Sequence, residues 1–273
     1  MNVATENRTT FFTVGDGCRI AYRWDGPRDA PVLVLANSIA TTLHMWDGQI
    51  AALTAHFRVL RYDLRGHGDS DAPAGDYSMD RLGHDVLELL DAVGMPCAHF
   101  LGLSLGGFVG QWLGIHAPER IGRLILSNTS SHLGPATDFD VRIAALRTAP
   151  DMAANARSFI ANWFPPRMLQ TVDPRVETFR AMVLDTPPQG LAGAFAAVRD
   201  ADMRRTVALI TRPTLVIAGR DDTVTLASHG EQLAASVPGA QLLVLPAVHL
   251  PNIEQPAAYE RAVLDFLLTD QPA

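Results

Sequence analysis

A serine surrounded by glycines is the first residue in this chain that suggests chemistry. The segment GLSLGG, residues 102–107, places Ser104 between an apolar strand-like run and an apolar helix-like run. Gly-x-Ser-x-Gly at such a junction is typical of a nucleophile elbow, a sharp turn that lifts the serine out of a sheet. Larger side chains at Gly102 and Gly106 would clash in this turn, and Gly107 lets the helix approach the sheet closely. The pattern predicts that Ser104 is a nucleophile.

A serine nucleophile needs a base to take its proton and an acid to orient that base. After a strand–turn–helix serine, the acid and the base are expected in that chain order, each following a later strand. His249 follows the apolar run QLLVLP and precedes the last helical pattern, which is the position expected of the base. The other histidines after Ser104 occupy a helix, an early strand end and a polar helix: His116, His132 and His229.

The orienting acid is expected after the preceding strand, in the segment PTLVIAGRDD. Both Asp221 and Asp222 lie in the right place. Spacing from Gly219 favours Asp222, and Asp221 remains an alternative. Either residue alone would be an ordinary turn former; the presence of a matching serine and histidine favours a catalytic role for one of the two.

The attacked carbonyl oxygen becomes negatively charged and needs N–H donors to stabilise it. Leu105 supplies one, because it begins a helix where N–H groups lack intrahelical partners. The second donor is expected in the loop after the run VLVLA, which reads Asn37-Ser38-Ile39-Ala40. Position in this loop favours the N–H of Ile39, and Asn37 and Ser38 are expected to shape the hole and border the substrate.

These residues need a framework that brings distant loops together, and the hydrophobic pattern indicates one. Short apolar, β-rich runs alternate with longer runs at helical spacing. The predicted strands are 11–14, 19–24, 32–36, 57–62, 98–101, 123–127, 214–218 and 241–245. The predicted helices are 79–93, 105–116 and 256–268. This alternation is typical of an α/β protein with a mostly parallel sheet wrapped by helices.

The alternation stops in one long stretch rich in proline. Between residues 131 and 208 there is no convincing strand, and helical patterns occur at 176–184 and 191–198. A single crossover between two strands rarely needs so many residues. We therefore expect residues 131–208 to form a helical cap inserted into a core domain made of residues 1–130 and 209–273.

Composition excludes several classes of function. The chain has 273 residues, 48% of them hydrophobic, which is enough for one sizeable core. A net charge of −7 without a basic cluster argues against a nucleic-acid partner. All 22 basic residues are arginines, which excludes Schiff-base chemistry on lysine and a P-loop lysine. Because HExxH, paired CxxC and GxGxxG motifs do not occur, neither a metal nor another cofactor is expected.

Three further features bear on location and on the remaining polar residues. Cys18 and Cys97 are too few for a disulfide framework, so both are expected to be free thiols. The first residues lack an apolar signal core, and no run reaches the ~20 apolar residues of a membrane span. These observations predict a cytoplasmic protein without a membrane partner.

A further polar segment, RYDLRGHGDSD, comprises residues 61–71. It lies in a glycine-rich turn without metal-ligand spacing, and we expect it to be a scaffold loop.

With these residues placed, the chain resembles the α/β-hydrolase family over nearly its whole length. The resemblance is carried by Asn37-Ser38 ahead of HMWD, by the segments 57–73 and 99–129, and by HLPNIEQP at 249–256. The Asn-Ser loop and the long match around Ser104 are similar, within that family, to the 3-oxoadipate enol-lactonases. Those enzymes have Asn-Ser-Leu-Gly where this chain has Asn37-Ser38-Ile39-Ala40. This difference bears on which acyl group the site accepts.

The resemblance implies the chemistry of a cofactor-free serine hydrolase in aromatic catabolism by the β-ketoadipate pathway. Its substrate would be a five-membered enol lactone that carries a carboxylate. Ser104 would attack the lactone carbonyl, and His249 would protonate the enolate that leaves. A carboxylated substrate favours a cation in the pocket. The candidates in the cap are Arg157, Arg167 and Arg180, and Trp163 and His132 are further candidates for the pocket lining.

Other functions of the same fold stay open from the sequence. Haloalkane dehalogenases and epoxide hydrolases need a nucleophilic aspartate, and position 104 is a serine. A general carboxylesterase, a cofactor-free haloperoxidase-like esterase and a C–C bond hydrolase share the triad. A non-catalytic ligand receptor is the alternative from another class. The sequence leaves the oligomeric state open.

Overall fold

The computed structural model describes residues 8–171 and 173–269. Eight strands form one sheet: β1 Thr10–Thr13, β2 Arg19–Asp25, β3 Val32–Ala36, β4 Arg58–Tyr62, β5 Ala98–Leu103, β6 Ile121–Ser127, β7 Thr214–Gly219 and β8 Gln241–Leu245. Their order across the sheet is β1-β2-β4-β3-β5-β6-β7-β8. Non-consecutive neighbours such as β3 and β5 require crossover connections, which are expected of parallel strands.

The sheet is antiparallel at one edge and parallel elsewhere. β1 and β2 form a hairpin whose turn contains Gly17 at φ 89°, a conformation that glycine adopts without strain. β2 also pairs antiparallel with β4, and every later pairing from β4 through β8 is parallel. The central strands β3 and β5 are almost wholly buried, in agreement with their apolar sequences. The predicted mostly parallel sheet is confirmed.

Helices flank this sheet. They are α1 Ile50–Leu53, α2 Met79–Ala92, α3 Leu105–His116, α4 Ala136–Thr148, α5 Ala153–Trp163, α6 Pro166–Gln170, α7 Pro174–Asp185, α8 Pro188–Asp200, α9 Ala227–Ser236, α10 Pro251–Glu254 and α11 Pro256–Leu268. α3 packs on β5 and β6, α2 packs on α3, and α9 packs on β7. Within the described ranges, no helix has the length and apolar character needed to cross a membrane.

Five helices, α4 to α8, lie in the chain between β6 and β7, and we call them the cap helices. α4 packs along α8, and α5 packs along α7. Aromatic contacts join them, since Phe159 of α5 stacks on Phe195 of α8 with 6.2 Å between ring centroids. The stretch expected to form a cap contains these five helices.

The carboxyl ends of five neighbouring strands bring together loops that are far apart in sequence. β3, β5, β6, β7 and β8 are adjacent in the sheet and parallel. Ser104 follows β5 and Asp222 lies beyond the end of β7. In open α/β sheets this edge is where ligands bind.

Candidate active site

The turn at Ser104 is strained in the way that a nucleophile elbow requires. Ser104 has φ 56° and ψ −112°, a conformation that non-glycine residues rarely adopt. A Cβ atom on Gly102 would lie 2.0 Å from the carbonyl oxygen of Gly106, and one on Gly106 would lie 2.3 Å from that of Ala36. Both positions therefore need glycine. The surrounding structure holds the turn, because the N–H of Ser104 donates to the carbonyl of Ser127 at 2.9 Å.

An aspartate–histidine pair lies beyond the ends of β7 and β8. Nδ1 of His249 is 2.9 Å from Oδ2 of Asp222, and both residues are buried. Asp221 is exposed instead and pairs with Arg220. Of the two aspartates that the sequence left open, the structure therefore brings Asp222 to the histidine and turns Asp221 toward solvent.

The Asp222 carboxylate accepts further hydrogen bonds that hold its orientation. Oδ1 accepts the N–H groups of Val224 at 2.8 Å and Thr225 at 3.1 Å. Oδ2 accepts the Thr225 hydroxyl at 2.8 Å and the Asn128 amide at 2.9 Å. Burial alone raises the pKa of this carboxyl, but the charge of the His249 ring and the donors around the carboxylate lower the pKa to about 2. Asp222 is therefore ionised at neutral pH.

Ser104 and His249 face one cavity of about 350 Å³ between the sheet edge and the cap helices. Nε2 of His249 is buried and has no hydrogen-bond partner within the described residues, so it is available to a group in this cavity. The cavity is lined by both apolar, largely aromatic, residues and polar residues. Its lining includes Phe108, Leu133, Phe139, Phe159, Phe195 and Val198 among the apolar residues, and Asp138, Arg142, Asn155, Ser158 and Asn162 among the polar residues.

The two residues expected to stabilise the oxyanion border the same cavity as Ser104. Ile39 and Leu105 both line the cavity, and neither N–H donates to an acceptor in the described part of the chain. The loop that carries Ile39 is tied to the serine helix, since the N–H of Gly106 donates to the carbonyl of Asn37 at 3.0 Å. Ala40 adopts φ 56° in this loop. Glycine adopts such a φ without strain, which explains why it suits the last position of the Asn-Ser-Leu-Gly pattern.

Asn37 and Ser38 were expected to border the substrate, but they do not line the cavity. Asn37 is fully buried and donates to the carbonyl of Tyr62 at 2.9 Å, while its Oδ1 accepts the indole N–H of Trp46 at 2.9 Å. The N–H of Ser38 points to the sulfur of Met45. The Asn37 side chain thus holds the loop that carries Ile39, whereas the Ser38 hydroxyl is buried and has no hydrogen-bond partner among the described residues.

Four of the candidate residues in the cap stretch also do not line the serine cavity. Arg157 lines a surface pocket shared with Arg180, and Arg167 pairs with Glu254 at 2.8 Å. His132 lines another pocket, where its ring is 3.1 Å from the carbonyl of Ala201. Spacing on a helix does not reveal which face turns toward a cavity, and this is why the sequence did not separate these residues from the lining.

Trp163 is in the cavity wall, as expected, and it contacts the candidate base. It is buried and its ring is nearly parallel to that of His249. Two further functional candidates, Arg142 and Asn128, emerge only from the structure. Arg142 follows Phe139 by three positions on α4, a spacing that places both on one face. For Asn128 the sequence offered only a polar residue directly after a strand.

The segment 61–71 lies beneath the Ile39 loop. Asp63 is buried, and its carboxylate accepts the N–H of Leu43 at 2.6 Å and that of Asp69 at 3.0 Å. Burial raises the pKa of Asp63 to about 6, against the effect of these two donors. His67 is wholly buried, which lowers its pKa to about 4. These contacts fit the expected scaffold role, because they anchor loops next to the site.

Comparison with known proteins agrees with the fold described above. The family model of the alpha/beta hydrolase fold matches residues 31–256. 3-Oxoadipate enol-lactonase 2 of Acinetobacter baylyi is 38% identical over 242 residues, which is 89% of this chain and 90% of that protein. A solved hydrolase from Pseudomonas aeruginosa is 60% identical, with a TM-score of 0.95 over 98% of this chain and 100% of its own. The solved enol-lactonase from Burkholderia xenovorans is 37% identical, with a TM-score of 0.92 over 95% of this chain and 100% of its own.

The family model alone covers more than half of the chain, and the relatives are matched over nearly their whole lengths. The chain therefore belongs to the α/β-hydrolase family.

Proposed function

We propose that this protein is a serine hydrolase that opens the lactone ring of 3-oxoadipate enol-lactone to give 3-oxoadipate, in the β-ketoadipate route of aromatic catabolism. The observation that carries the proposal is the hydrogen bond between Nδ1 of His249 and Oδ2 of Asp222, 2.9 Å long. The ring of this histidine lines the same cavity as Ser104. The 38% identity with an enol-lactonase of Acinetobacter baylyi supports the substrate.

In the first step, Ser104 adds to the lactone carbonyl. Nε2 of His249 takes the hydroxyl proton as Oγ forms a bond to the carbonyl carbon. The ionised Asp222 stabilises the imidazolium that results. The carbonyl oxygen becomes negatively charged and accepts hydrogen bonds from the N–H groups of Ile39 and Leu105.

In the second step, the ring C–O bond breaks. His249 returns its proton to the leaving enolate oxygen, and the enol then becomes the ketone. The acyl group stays on Ser104 until a water molecule, deprotonated by His249, attacks the acyl carbon. Collapse of that intermediate passes the proton back to Ser104 and releases the new carboxylate. The overall reaction adds one water across the ester bond and needs no cofactor.

Arg142 is the best-placed cation for the substrate's own carboxylate. Within the described residues it is the one arginine that lines the serine cavity, and it forms no ion pair there. Arg167 and Arg180, in contrast, pair with Glu254 and Glu177. A guanidinium binds a carboxylate through two parallel hydrogen bonds, which also orients the ligand. Arg142 therefore replaces the three arginines favoured by sequence.

The test uses freshly prepared 3-oxoadipate enol-lactone and follows the loss of its enol-lactone absorbance. We expect the protein to accelerate opening far above the blank, and the Ser104→Ala variant to fall back to the blank. Rapid cleavage of p-nitrophenyl acetate without lactone opening would instead identify a general carboxylesterase. Neither activity in a protein that binds the lactone would identify a ligand receptor.

A further inference from the structure

Asn128 contacts both Asp222 and the loop that carries His249, although it belongs to neither of these two loops. It follows β6 directly and is buried, with 1% of its surface exposed. Its Nδ2 donates to Oδ2 of Asp222 at 2.9 Å and to the carbonyl of Val248 at 3.1 Å. Val248 directly precedes His249, so one amide group joins the two loops that carry the acid–base pair.

The backbone presents this amide in a conformation that few residues tolerate. Asn128 has φ 43°, in the left-handed region where asparagine is enriched among non-glycine residues. Its N–H donates to the carbonyl of Ile217 in β7 at 2.8 Å, which fixes the main chain against the neighbouring strand. Ser127 donates from its hydroxyl to Oδ1 of Asn128 at 3.2 Å, and this contact favours the amide orientation with Nδ2 toward Asp222.

The shared acceptor is the oxygen that His249 uses. Oδ2 of Asp222 accepts from Nδ1 of His249, from Nδ2 of Asn128 and from the hydroxyl of Thr225, at 2.9, 2.9 and 2.8 Å. A donor on this oxygen fixes the carboxylate plane and withdraws part of the negative charge that stabilises an imidazolium. Removing one donor should therefore loosen the pair and also make the base easier to protonate.

We propose that Asn128 is a positioning residue for the hydrolysis: its amide orients Oδ2 of Asp222 toward His249 and holds the His249 loop against the acid loop. The inference rests on the proposed triad, in which the pair activates Ser104. Its effect is exerted through Asp222 and His249, because Asn128 does not line the serine cavity.

The first variant is Asn128→Gly, because glycine accepts the positive φ without strain. With p-nitrophenyl acetate as the substrate, we expect kcat to fall by about 10- to 100-fold while KM changes little, as for other partners that orient a catalytic group. We also expect the acidic limb of kcat/KM against pH to move to higher pH. Asn128→Ser keeps one donor and should lie between the wild type and the glycine variant.

A matched buried amide separates positioning from stability. Asn252 is wholly buried and donates to the carbonyl of Met45 and to the side chain of Gln49, both at 3.3 Å. Asn252→Ala should lower Tm yet leave the acidic limb where it is in the wild type. The proposal is overturned if Asn128→Gly behaves in the same way, with a lower Tm but an unchanged acidic limb and unchanged kcat.

A second measurement does not depend on turnover or on the true substrate. In the inactive Ser104→Ala background, the proton on Nδ1 of His249 should give a low-field NMR signal because Asp222 accepts it. Adding Asn128→Gly should shift this signal or broaden it by exchange with water. An unchanged signal would contradict the positioning role even if the enol lactone proves to be the substrate. A changed signal would support it even if the substrate is another ester.

Discussion

The indole ring of Trp163 lies nearly parallel to the imidazole ring of His249, with 6.4 Å between the ring centroids and 16° between the ring planes. Trp163 is the last residue of α5, and only 1% of its surface is exposed. The two rings are thus neighbours where a cap helix meets the sheet edge, and both residues line the serine cavity. Trp163 therefore shapes the cavity directly beside the candidate base.

Replacing Trp163 should therefore affect both stability and rate. We expect Trp163→Ala to lower the free energy of unfolding by about 3–5 kcal/mol and to lower kcat for p-nitrophenyl acetate per folded molecule. Trp163→Phe should retain most of both. The matched control is Phe164→Ala, because Phe164 is similarly buried and also packs on Phe179, but it does not line the serine cavity. Urea titrations and steady-state kinetics test this; equal kcat for both alanine variants would contradict it.

Adjacent aspartates allow a direct test of the acid. Asp222→Asn should lower kcat by about 10⁴-fold, because an amide at this place no longer stabilises the required tautomer and the imidazolium. Asp221→Asn should leave kcat within a few-fold of the wild type, since Asp221 is exposed and pairs with Arg220. Kinetics on the same ester compare the two variants. A large loss in Asp221→Asn with an active Asp222→Asn would reverse the assignment.

Arg142 should distinguish carboxylated from uncharged substrates. Arg142→Ala removes a charge-assisted hydrogen bond worth about 1.5–3 kcal/mol, so kcat/KM for the enol lactone should fall by about 10- to 150-fold. The uncharged ester p-nitrophenyl acetate should be cleaved as before. Arg157→Ala is the control, because Arg157 lines a separate surface pocket. An equal loss on both substrates would show that Arg142 does not bind the carboxylate.

Asp63 predicts a dependence of stability on pH. Burial raises its folded-state pKa to about 6, above the usual value of 3.8. The folded state therefore holds this proton more tightly than the unfolded state. The stabilisation is fully present below pH 3.8 and is lost as pH rises through 6, by about 3 kcal/mol at most. Asp222 titrates below this window, with a pKa of about 2, and does not mask the effect.

The test compares urea unfolding of the wild type and of Asp63→Asn across pH 4 to 7. Because the amide does not titrate, we expect the free energy of unfolding of the wild type, relative to the variant, to decrease with rising pH. A difference that is constant across this range would show that Asp63 is already ionised at its lower end. Circular dichroism at each pH checks that both proteins begin folded.

The sequence alone was sufficient to predict the sheet and to single out Ser104 and His249 as candidates. Each depends on short-range information. Apolar runs of strand and helix length define the elements, and glycines at 102 and 106 are demanded by a turn in which a Cβ would meet backbone within 2.3 Å. The order of elements then fixes which loops reach the carboxyl edge, because parallel strands bring their ends to the same side.

Tertiary structure decided between residues that the sequence could not separate. Asp221 and Asp222 are neighbours, and the direction of the chain after β7 selects the one that reaches His249 at 2.9 Å. Arg142 and Arg157 both lie on cap helices, and the packing of those helices selects the one that faces the cavity. The link from Asn128 to two other loops crosses about a hundred residues of chain. Such choices depend on side-chain directions set by contacts between distant segments, and local spacing carries no information about them.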